Sequence, residues 1–241
     1  MKISVLTPAF NSGKYIERAI CSATDQNIAS FEHIIVDGGS TDDTCTILNK
    51  YKHLKWISEP DMGQSDAMNK AFNLSTGDLI VYLNADDEFA PDAFKEILNT
   101  FKNSPDTDMV VGNLLFSYPL GKLIRVPSAK YIDIIQYWRN LFPNNPVSYF
   151  YKRKIQEDIG KFPIDEHMAM DMWFLLKVYK NYKITKLDKV LGTFHSDGTN
   201  KTALTDSGKN LHQVVKTHLK QKDPLLLLFF YYKLAIGRLR K

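Results

Sequence analysis

Cysteine is scarce, since the chain has only two in 241 residues, Cys21 and Cys45. Both fall in stretches with a helical pattern, and their spacing is typical of neither a disulfide framework nor a metal-binding knuckle. We therefore expect a protein of a reducing compartment, with the cytoplasm as the default. Because 44% of the residues are hydrophobic, a core alone can hold the fold together.

Long apolar runs are also few. The run at residues 3–6 stops at Thr7-Pro8, which is too short for the core of a signal peptide. Residues 225–232 and 234–236 give about twelve helical residues, or roughly 18 Å, against roughly 30 Å of hydrocarbon in a bilayer. The sequence therefore predicts neither export nor a membrane-spanning segment.

The excess of positive over negative charge lies at one end of the chain. The net charge is +4, but seven basic residues between 216 and 241 face Asp223 alone, so residues 1–215 carry −2. A body that is slightly acidic and has no stripe of lysine and arginine argues against nucleic acid as a partner.

Runs of strand length alternate with helical periodicity from the start of the chain. This order is typical of an α/β fold, a doubly wound, mostly parallel sheet with helices on both faces. The predicted strands are 2–7, 33–36, 55–58, 79–83, 123–126, 147–152 and 189–195. The predicted helices are 16–23, 41–51, one capped by Ser65 or Asp66 and ending at Leu74, one opened by Pro91, and one that contains 171–176. We expect one domain over 1–215 and a helical tail over 216–241.

Polar residues close three of these strands, and in an open α/β sheet such ends converge on one crevice. Asp37 could accept hydrogen bonds from a base or ribose there, although an ordinary strand-to-helix turn is also rich in Asp and Gly. Asp86 and Asp87 are adjacent carboxylates that repel each other unless a cation neutralises them. They predict Mg²⁺ or Mn²⁺ bound with substrate phosphates, the alternative being an acidic turn.

Several segments resemble the family 2 glycosyltransferases in order and spacing, over most of residues 1–200. The segments are Ser4-Val5-Leu6-Thr7-Pro8-Ala9-Phe10-Asn11, residues 33–44 around Asp37-Gly38-Gly39-Ser40, residues 58–69, and Asn84-Ala85-Asp86-Asp87. The resemblance implies a GT-A fold and an inverting, metal-dependent sugar transfer. It assigns 1–112 to nucleotide binding and 113–215 to the acceptor.

The same resemblance implies which residues meet the donor. The nucleotide-binding residues are Thr7, Pro8, Ala9, Asn11, Asp37, Gln64, Asp66, Asn84 and Asp86, and the metal residues are Asp86, Asp87 and His195. His195 precedes a polar loop, where the family often has a histidine near the diphosphate; a lone histidine is more often structural. The family often has an aspartate where this chain has Asn84, and amide oxygen is a weaker ligand, so we assign coordination to Asp86 and Asp87.

An inverting transfer needs a carboxylate that takes the proton of the acceptor hydroxyl. Asp171 resembles the family's base because it precedes the aromatic-rich segment Met172-Trp173-Phe174. A carboxylate favoured by the helix dipole is the alternative, and Asp165 and Glu166 are rivals for the role. Trp173 and Trp138 could stack on a sugar, or belong to the core.

The tail combines the apolar run 225–232 with Lys233, Arg238, Arg240 and Lys241. This composition suits an interfacial helix on anionic lipid, which would bring the enzyme to a lipid-linked acceptor. A helix docked on the protein's own core or on a second subunit is the alternative.

We expect an enzyme that moves a sugar from a nucleotide-sugar donor to a glycan or lipid-linked acceptor in cell-surface polysaccharide synthesis. The expected donor is a UDP-sugar, and the expected cofactor is Mn²⁺ or Mg²⁺. It would lie in the cytoplasm or at the inner face of the membrane. One alternative is a nucleotidyltransferase, although the glycine-rich, basic phosphate loop of that class is missing near the N-terminus. The other is a catalytically silent module that binds sugar nucleotide or membrane.

Overall fold

The computed structural model describes residues 1–136, 139, 141–165, 169–196 and 207–239, with side chains left out at 207–210 and 236–239. Strands and helices alternate along its first half as predicted. The strands are β1 Ile3–Ala9, β2 Phe31–Asp37, β3 Lys55–Ser58, β4 Leu79–Tyr82, β5 Glu88–Phe89, β6 Met109–Tyr118, β7 Gly121–Arg125, β8 Tyr149–Lys152 and β9 Ile184–His195. The helices are α1 Ile16–Thr24, α2 Thr44–Leu48, α3 Gln64–Leu74, α4 Ala93–Asn103, α5 Tyr131–Ile134, α6 Arg153–Ile159, α7 Met170–Asn181, α8 Ser207–Lys222 and α9 Pro224–Leu239.

The strands form one sheet in the order β3-β2-β1-β4-β8-β6-β9-β5, and β7 pairs with the far half of β6. The first four strands are mutually parallel, and β6 and β9 are parallel to each other. Only β8 separates the two groups, and it runs antiparallel to both β4 and β6. The two groups of parallel strands therefore point the same way, and their carboxyl ends share one edge of the sheet.

Helices cover both faces of the sheet, as predicted. On one face α1 and α4 bury Ala19, Ala23, Phe94 and Ile97 against β1, β4 and β8. On the other face α3 and α7 build a second cluster, which also holds Val215, Leu219 and Phe230. Burial of these apolar side chains is the main force that holds each helix to the sheet.

Several predicted boundaries are wrong. Helix α2 has five residues rather than the eleven of 41–51, because residues 38–43 form a loop that is tied by its own side chains. Strand β9 begins at Ile184 rather than at residue 189; its mixed apolar and polar residues hid a strand that pairs along β6. Helix α3 is capped by Gly63, which has φ +104° and offers no side-chain hydrogen bond, rather than by Ser65 or Asp66.

Gly112 marks no boundary. Strand β6 continues through it to Tyr118, and a Cβ atom at this position would lie 2.4 Å from Cγ of Leu191. The glycine is therefore needed because β9 packs closely on the backbone of β6. The predicted division at residue 112 falls inside this strand, and the division at 215 falls inside α8.

The tail is docked on the body. Val215, Leu219 and Phe230 are fully buried, so the core-docking alternative holds for one face of α8 and α9. The other face of α9 exposes Leu225, Leu228, Tyr231 and Tyr232. Within the ranges that the structure describes, no helix is both long and apolar enough to cross a membrane.

Candidate active site

The loops that follow β1 and β2 are tied into one surface at the carboxyl edge of the sheet. The backbone N–H of Asn11 donates to Oγ of Ser40 at 2.7 Å, and Oδ1 of Asn11 accepts from the backbone N–H of Thr41 at 2.9 Å. Asn11 has φ +47°, a conformation that asparagine tolerates better than most residues. Asn11, one of the predicted nucleotide-binding residues, therefore joins the loop after β1 to the loop after β2.

The end of β1 is buried. Oγ1 of Thr7 shares a hydrogen bond of 2.9 Å with Nε2 of His33. Burial lowers the pKa of His33 to about 3, so this histidine is neutral and serves as a fixed partner for Thr7. Pro8 is half-buried and Ala9 is buried, which leaves the crevice side of this strand end lined by small groups.

Asp37, at the end of β2, is fully buried and holds the loop that follows it. Its Oδ2 accepts from Ser58 Oγ at 2.7 Å and from the backbone N–H groups of Gly39 and Ser40 at 3.2 and 2.9 Å, and its Oδ1 accepts from Ser40 Oγ. Burial raises the pKa of Asp37, but the hydrogen bonds of Ser40 and Ser58 outweigh it and leave the pKa below its ordinary value. The carboxylate is charged and well occupied by protein donors.

The first turn of α3 joins two parts of the crevice. Nε2 of Gln64 donates to Oδ1 of Asn84 at 3.1 Å, which ties α3 to the loop after β4. Oγ of Ser65 donates to Sδ of Met170 at 2.8 Å, next to Asp171. Asp66 accepts from the backbone N–H of Met62 at 3.2 Å and pairs with Lys70 at 3.3 Å. Gln64 and Ser65 thus connect the predicted metal loop to the predicted base.

Asp86 and Asp87 differ in their surroundings. Asp87 is fully buried; its Oδ2 accepts from Nδ2 of Asn145 at 2.7 Å and Nδ2 of Asn84 at 2.9 Å, and its Oδ1 accepts from the backbone N–H of His195 at 3.4 Å. These three hydrogen bonds occupy both oxygens of Asp87. Burial, helped by the charge of Asp86, raises the pKa of Asp87 to about 7.

Asp86 is only partly buried, and its backbone carbonyl accepts from the guanidinium of Arg18. His195 reaches the same corner of the site: its Nε2 pairs with Oε1 of Glu88 at 3.0 Å. Arg18 also faces Glu88, at 3.9 Å. Basic and acidic side chains thus meet where β4 and β9 end.

The donor set fits a hard cation that takes part of its ligands from a substrate. In the described ranges no three side chains of His, Cys, Asp or Glu converge on a single point, so the protein offers no closed cage. Mg²⁺ and Mn²⁺ accept one or two carboxylates and complete their shell with phosphate and water. Asp86, which is only partly buried whereas Asp87 is fully buried, is the residue of this loop that matches such a half-open site.

Asp171 begins α7 at the same edge of the sheet. Its Oδ1 accepts from the hydroxyl of Tyr149 at 3.4 Å. Burial raises the pKa of Asp171 to about 6, against 3.8 for an ordinary aspartate. A carboxylate with this pKa is ionised at neutral pH and still basic enough to take a proton.

Of the two rivals of Asp171, Asp165 is exposed, and Glu166 lies outside the described residues, as does Trp138. Trp173 packs against Phe162, with ring centroids 6.5 Å apart, and Nζ of Lys177 lies 3.5 Å from its ring. Its ring is thus engaged by the protein's own side chains.

Sequence reasoning missed Asn145, Tyr149, Arg18 and Glu88. Asn145 precedes Pro146 and caps a short 3-10 helix while it donates to Asp87; an Asn-Pro pair signals only a turn. Tyr149 lies in a buried strand, where an aromatic residue is expected for packing alone. Neither residue has a motif that could have identified its contact with the site.

Relatives of known name match parts of the chain. A putative teichuronic acid biosynthesis glycosyltransferase, TuaG of Bacillus subtilis, is 31% identical over 54% of this chain and 55% of its own length. The chondroitin synthase of Escherichia coli is 38% identical over 42% of this chain, and an uncharacterised glycosyltransferase of Nostoc is 34% identical over 43%. The chain spans 15% of the synthase and 34% of the Nostoc protein.

Two solved structures show the same fold. S. aureus TarS in complex with UDP superposes with a TM-score of 0.73 at 22% identity, covering 92% of this chain and 67% of that one. Glucosyl-3-phosphoglycerate synthase of Mycobacterium tuberculosis, solved with Mn²⁺, UDP and phosphoglyceric acid, gives 0.64 at 20% identity, covering 91% and 78%. The α/β fold of the chain is therefore of the GT-A type.

The model of glycosyl transferase family 2 matches residues 4–181. This range contains the β1, β2 and β4 ends, the first turn of α3 and Asp171, which are the parts that the structure brings to one edge of the sheet. The chain belongs to glycosyl transferase family 2.

Proposed function

We propose that the protein is an inverting, metal-dependent glycosyltransferase that moves a sugar from a UDP-sugar to a glycan or lipid-linked acceptor in cell-surface polysaccharide synthesis. The observation that carries this proposal is the path from Asn84 through Gln64 to Ser65 and Met170, beside Asp171. It holds the donor loop and a carboxyl of raised pKa at one crevice, which is what a direct transfer needs.

The donor nucleotide would lie over the ends of β1 and β2. We assign Thr7, Pro8, Ala9 and Asn11 to this part of the donor site, the buried Thr7 and Ala9 as its floor. Asp37 would act here by fixing residues 38–40, because protein donors already occupy its oxygens. Gln64, Asp66 and Asn84, where α3 begins, would flank the diphosphate.

Asp86 would hold a divalent cation together with the diphosphate oxygens. When bound, the cation neutralises charge that builds up on the departing nucleotide. We assign to Asp87 the task of holding the loop, because Asn84, Asn145 and the backbone of His195 occupy its oxygens. His195, which pairs with Glu88 and whose backbone N–H donates to Asp87, would serve as a further ligand or phosphate contact.

Asp171 would act as the general base. The acceptor hydroxyl gives its proton to a carboxylate oxygen of Asp171 while its oxygen attacks the anomeric carbon, and the bond to the nucleoside diphosphate breaks on the opposite side. Attack from the side opposite to the leaving group inverts the configuration at that carbon. Tyr149 positions Asp171 by its hydrogen bond.

Similar proteins support parts of this proposal. TarS has been solved with UDP, and the phosphoglycerate-specific synthase with Mn²⁺ and UDP. TuaG is described as acting in teichuronic acid biosynthesis and the E. coli relative as a chondroitin synthase. We also propose that the exposed face of α9 contacts the membrane surface where a lipid-linked acceptor would lie.

Thermal unfolding with nucleotides tests the donor assignment. UDP with Mn²⁺ should raise the melting temperature, because a ligand that binds only the folded protein stabilises it by roughly 2.7 kcal/mol at a hundred times its dissociation constant. Addition of a chelator should remove most of this shift. An unchanged melting temperature with UDP, GDP and deoxythymidine diphosphate, all with metal, would overturn the assignment.

A further inference from the structure

The β6–β7 ribbon is an apolar projection next to the active site. It comprises residues 114–125, in which Leu114 to Tyr118 pair with Arg125 to Gly121. Leu120 at its tip is 101% exposed, Ile124 53% and Leu123 46%. A Cβ atom added to Gly121 would meet no atom within 4 Å. The tip therefore projects away from the rest of the protein.

Near its tip, the ribbon exposes apolar side chains on both faces. Leu123 and Ile124 are neighbours on β7, so their side chains point to opposite faces of the strand, and both are exposed. An ordinary solvated hairpin has polar residues on at least one face. Apolar side chains on both faces and at the tip indicate that this ribbon enters an apolar environment.

The root of the ribbon is rigid and lies at the active site. The ring of Phe116 packs against Phe194, with centroids 5.0 Å apart, and against Tyr118 at 5.8 Å. Ser117 pairs with His195 across the β6–β9 ladder, and its carbonyl accepts from the backbone N–H of Ser196 at 2.9 Å. Since β6 is parallel to β4, the ribbon extends from the edge of the sheet that holds Asp86.

The charges of the ribbon have one sign. Residues 114–126 include Lys122 and Arg125 and no acidic residue. Lys122 is exposed near the tip, and the guanidinium of Arg125 lies 5.4 Å from the ring of Phe116 at the root. An exposed lysine beside an apolar tip, with an arginine at the root and no acidic residue between them, complements an anionic lipid surface.

We infer that the β6–β7 ribbon inserts its tip into an anionic bilayer and holds the active site at the lipid surface. Leu120, Leu123 and Ile124 would lie among the acyl chains, with Lys122 and Tyr118 at the headgroups. The inference rests on the proposed function, since the acceptor would then be the sugar-bearing headgroup of a lipid. It is independent of the contact proposed for α9.

Vesicle co-sedimentation of the full chain tests the ribbon, with vesicles of phosphatidylcholine alone or mixed with phosphatidylglycerol. The double variant L120E/I124E should bind mixed vesicles at least about tenfold more weakly, because two apolar side chains that would be buried among acyl chains become charged. K122Q should weaken binding several-fold, and only to vesicles that contain phosphatidylglycerol. L74E is the control, because Leu74 is also an exposed leucine but ends α3 at the opposite edge of the sheet; its binding should match that of the natural protein.

Stabilisation by UDP with Mn²⁺ and the melting temperature without ligand are measured on each variant. Both should be unchanged, so a loss of vesicle binding could not be ascribed to unfolding, and a failure of UDP to stabilise any of the proteins would count against the donor site alone. Natural protein that ignores mixed vesicles, or L120E/I124E that binds them as well as the natural protein does, would overturn the inference. A double variant that turns a dimer into a monomer in sedimentation velocity would overturn it too and assign the ribbon to a second copy.

Discussion

Two carboxyls of the site have raised pKa values for the same reason but different surroundings. Burial is the main cause for both Asp87 and Asp171. Asp87 is enclosed by three N–H donors, whereas Asp171 has one hydroxyl donor at 3.4 Å. A proton acceptor must keep an oxygen available, and only Asp171 does so.

Replacement of these aspartates should separate catalysis from binding. In D171N the side chain keeps its size but cannot accept a proton, so turnover should fall by about 10²–10⁴-fold with little change in donor affinity. D86N should weaken the binding of Mn²⁺ and UDP together. Titration calorimetry and steady-state rates measure both effects. Full turnover in D171N would shift the role to Asp165 or Glu166.

The pH profile provides a second check on Asp171. Its pKa is raised to about 6, so the carboxyl is protonated and inactive below that pH and becomes a base as the pH rises through it. The value of kcat/KM should therefore rise with pH through about 6 and level off above it. An acidic limb that persists unchanged in the residual activity of D171N would show that another group titrates.

The sequence predicted the residue types of the site better than their contacts. Asp37, Asp86 and Asp171 stand where strand ends and a helix start were expected. That Ser58 donates to Asp37, and that Asn145 reaches Asp87, depends on side chains that are 21 and 58 positions apart. Such contacts follow from tertiary packing, which no local pattern records.

At the scale of elements, prediction was best where one force dominates. The buried strands β1, β2 and β4 follow from their apolar runs, whereas α2 and the start of β9 were missed because loop hydrogen bonds and mixed polarity weaken the pattern. Helix α9 combines both situations: its run of leucine and aromatic residues predicted a buried or membrane-bound helix, and the structure divides it into a packed and an exposed face.

Substitutions on the two faces of α9 should have different effects. L225E/L228E places charges on side chains that are 83% and 70% exposed, so it should leave the melting temperature unchanged and weaken binding to anionic vesicles. F230A empties a fully buried position and should lower the free energy of unfolding by about 3–5 kcal/mol. Vesicle binding by L225E/L228E equal to that of the natural protein would argue against a membrane contact of this face.

At the scale of the whole molecule, the fold class was predictable because alternation of strands and helices admits few architectures. The place of β8 was not predicted: this antiparallel strand joins β4 to β6, so residues on both sides of position 112 belong to one sheet. The looser pattern after residue 109 could not reveal this, because Gly112 continues β6 and packs closely against Leu191.

Deletion of residues 225–241 should destabilise the protein, whereas deletion of a tail that is not docked would leave its stability unchanged. The loss of buried Phe230 alone should lower the free energy of unfolding by about 3–5 kcal/mol. For a chain of this size, each kcal/mol lost from that free energy lowers the melting temperature by about 2–4 °C. Calorimetry should thus show melting several degrees lower, with UDP binding retained below the transition. An unchanged melting temperature would mean that α9 is not docked in solution.

The strand order also has a consequence for biosynthesis. Leu79 of β4 pairs with Lys152 of β8. The ribosome must therefore synthesise the chain from Leu79 to Lys152 before β8 can pair with β4. At about 5–20 residues per second, a ribosome needs several seconds for this stretch. Throughout that interval β4 leaves the backbone N–H and C=O groups of one edge unpaired, and the same edge of another nascent chain could pair with them. The rate of translation through residues 80–152 therefore sets how long each new molecule is exposed to misassembly.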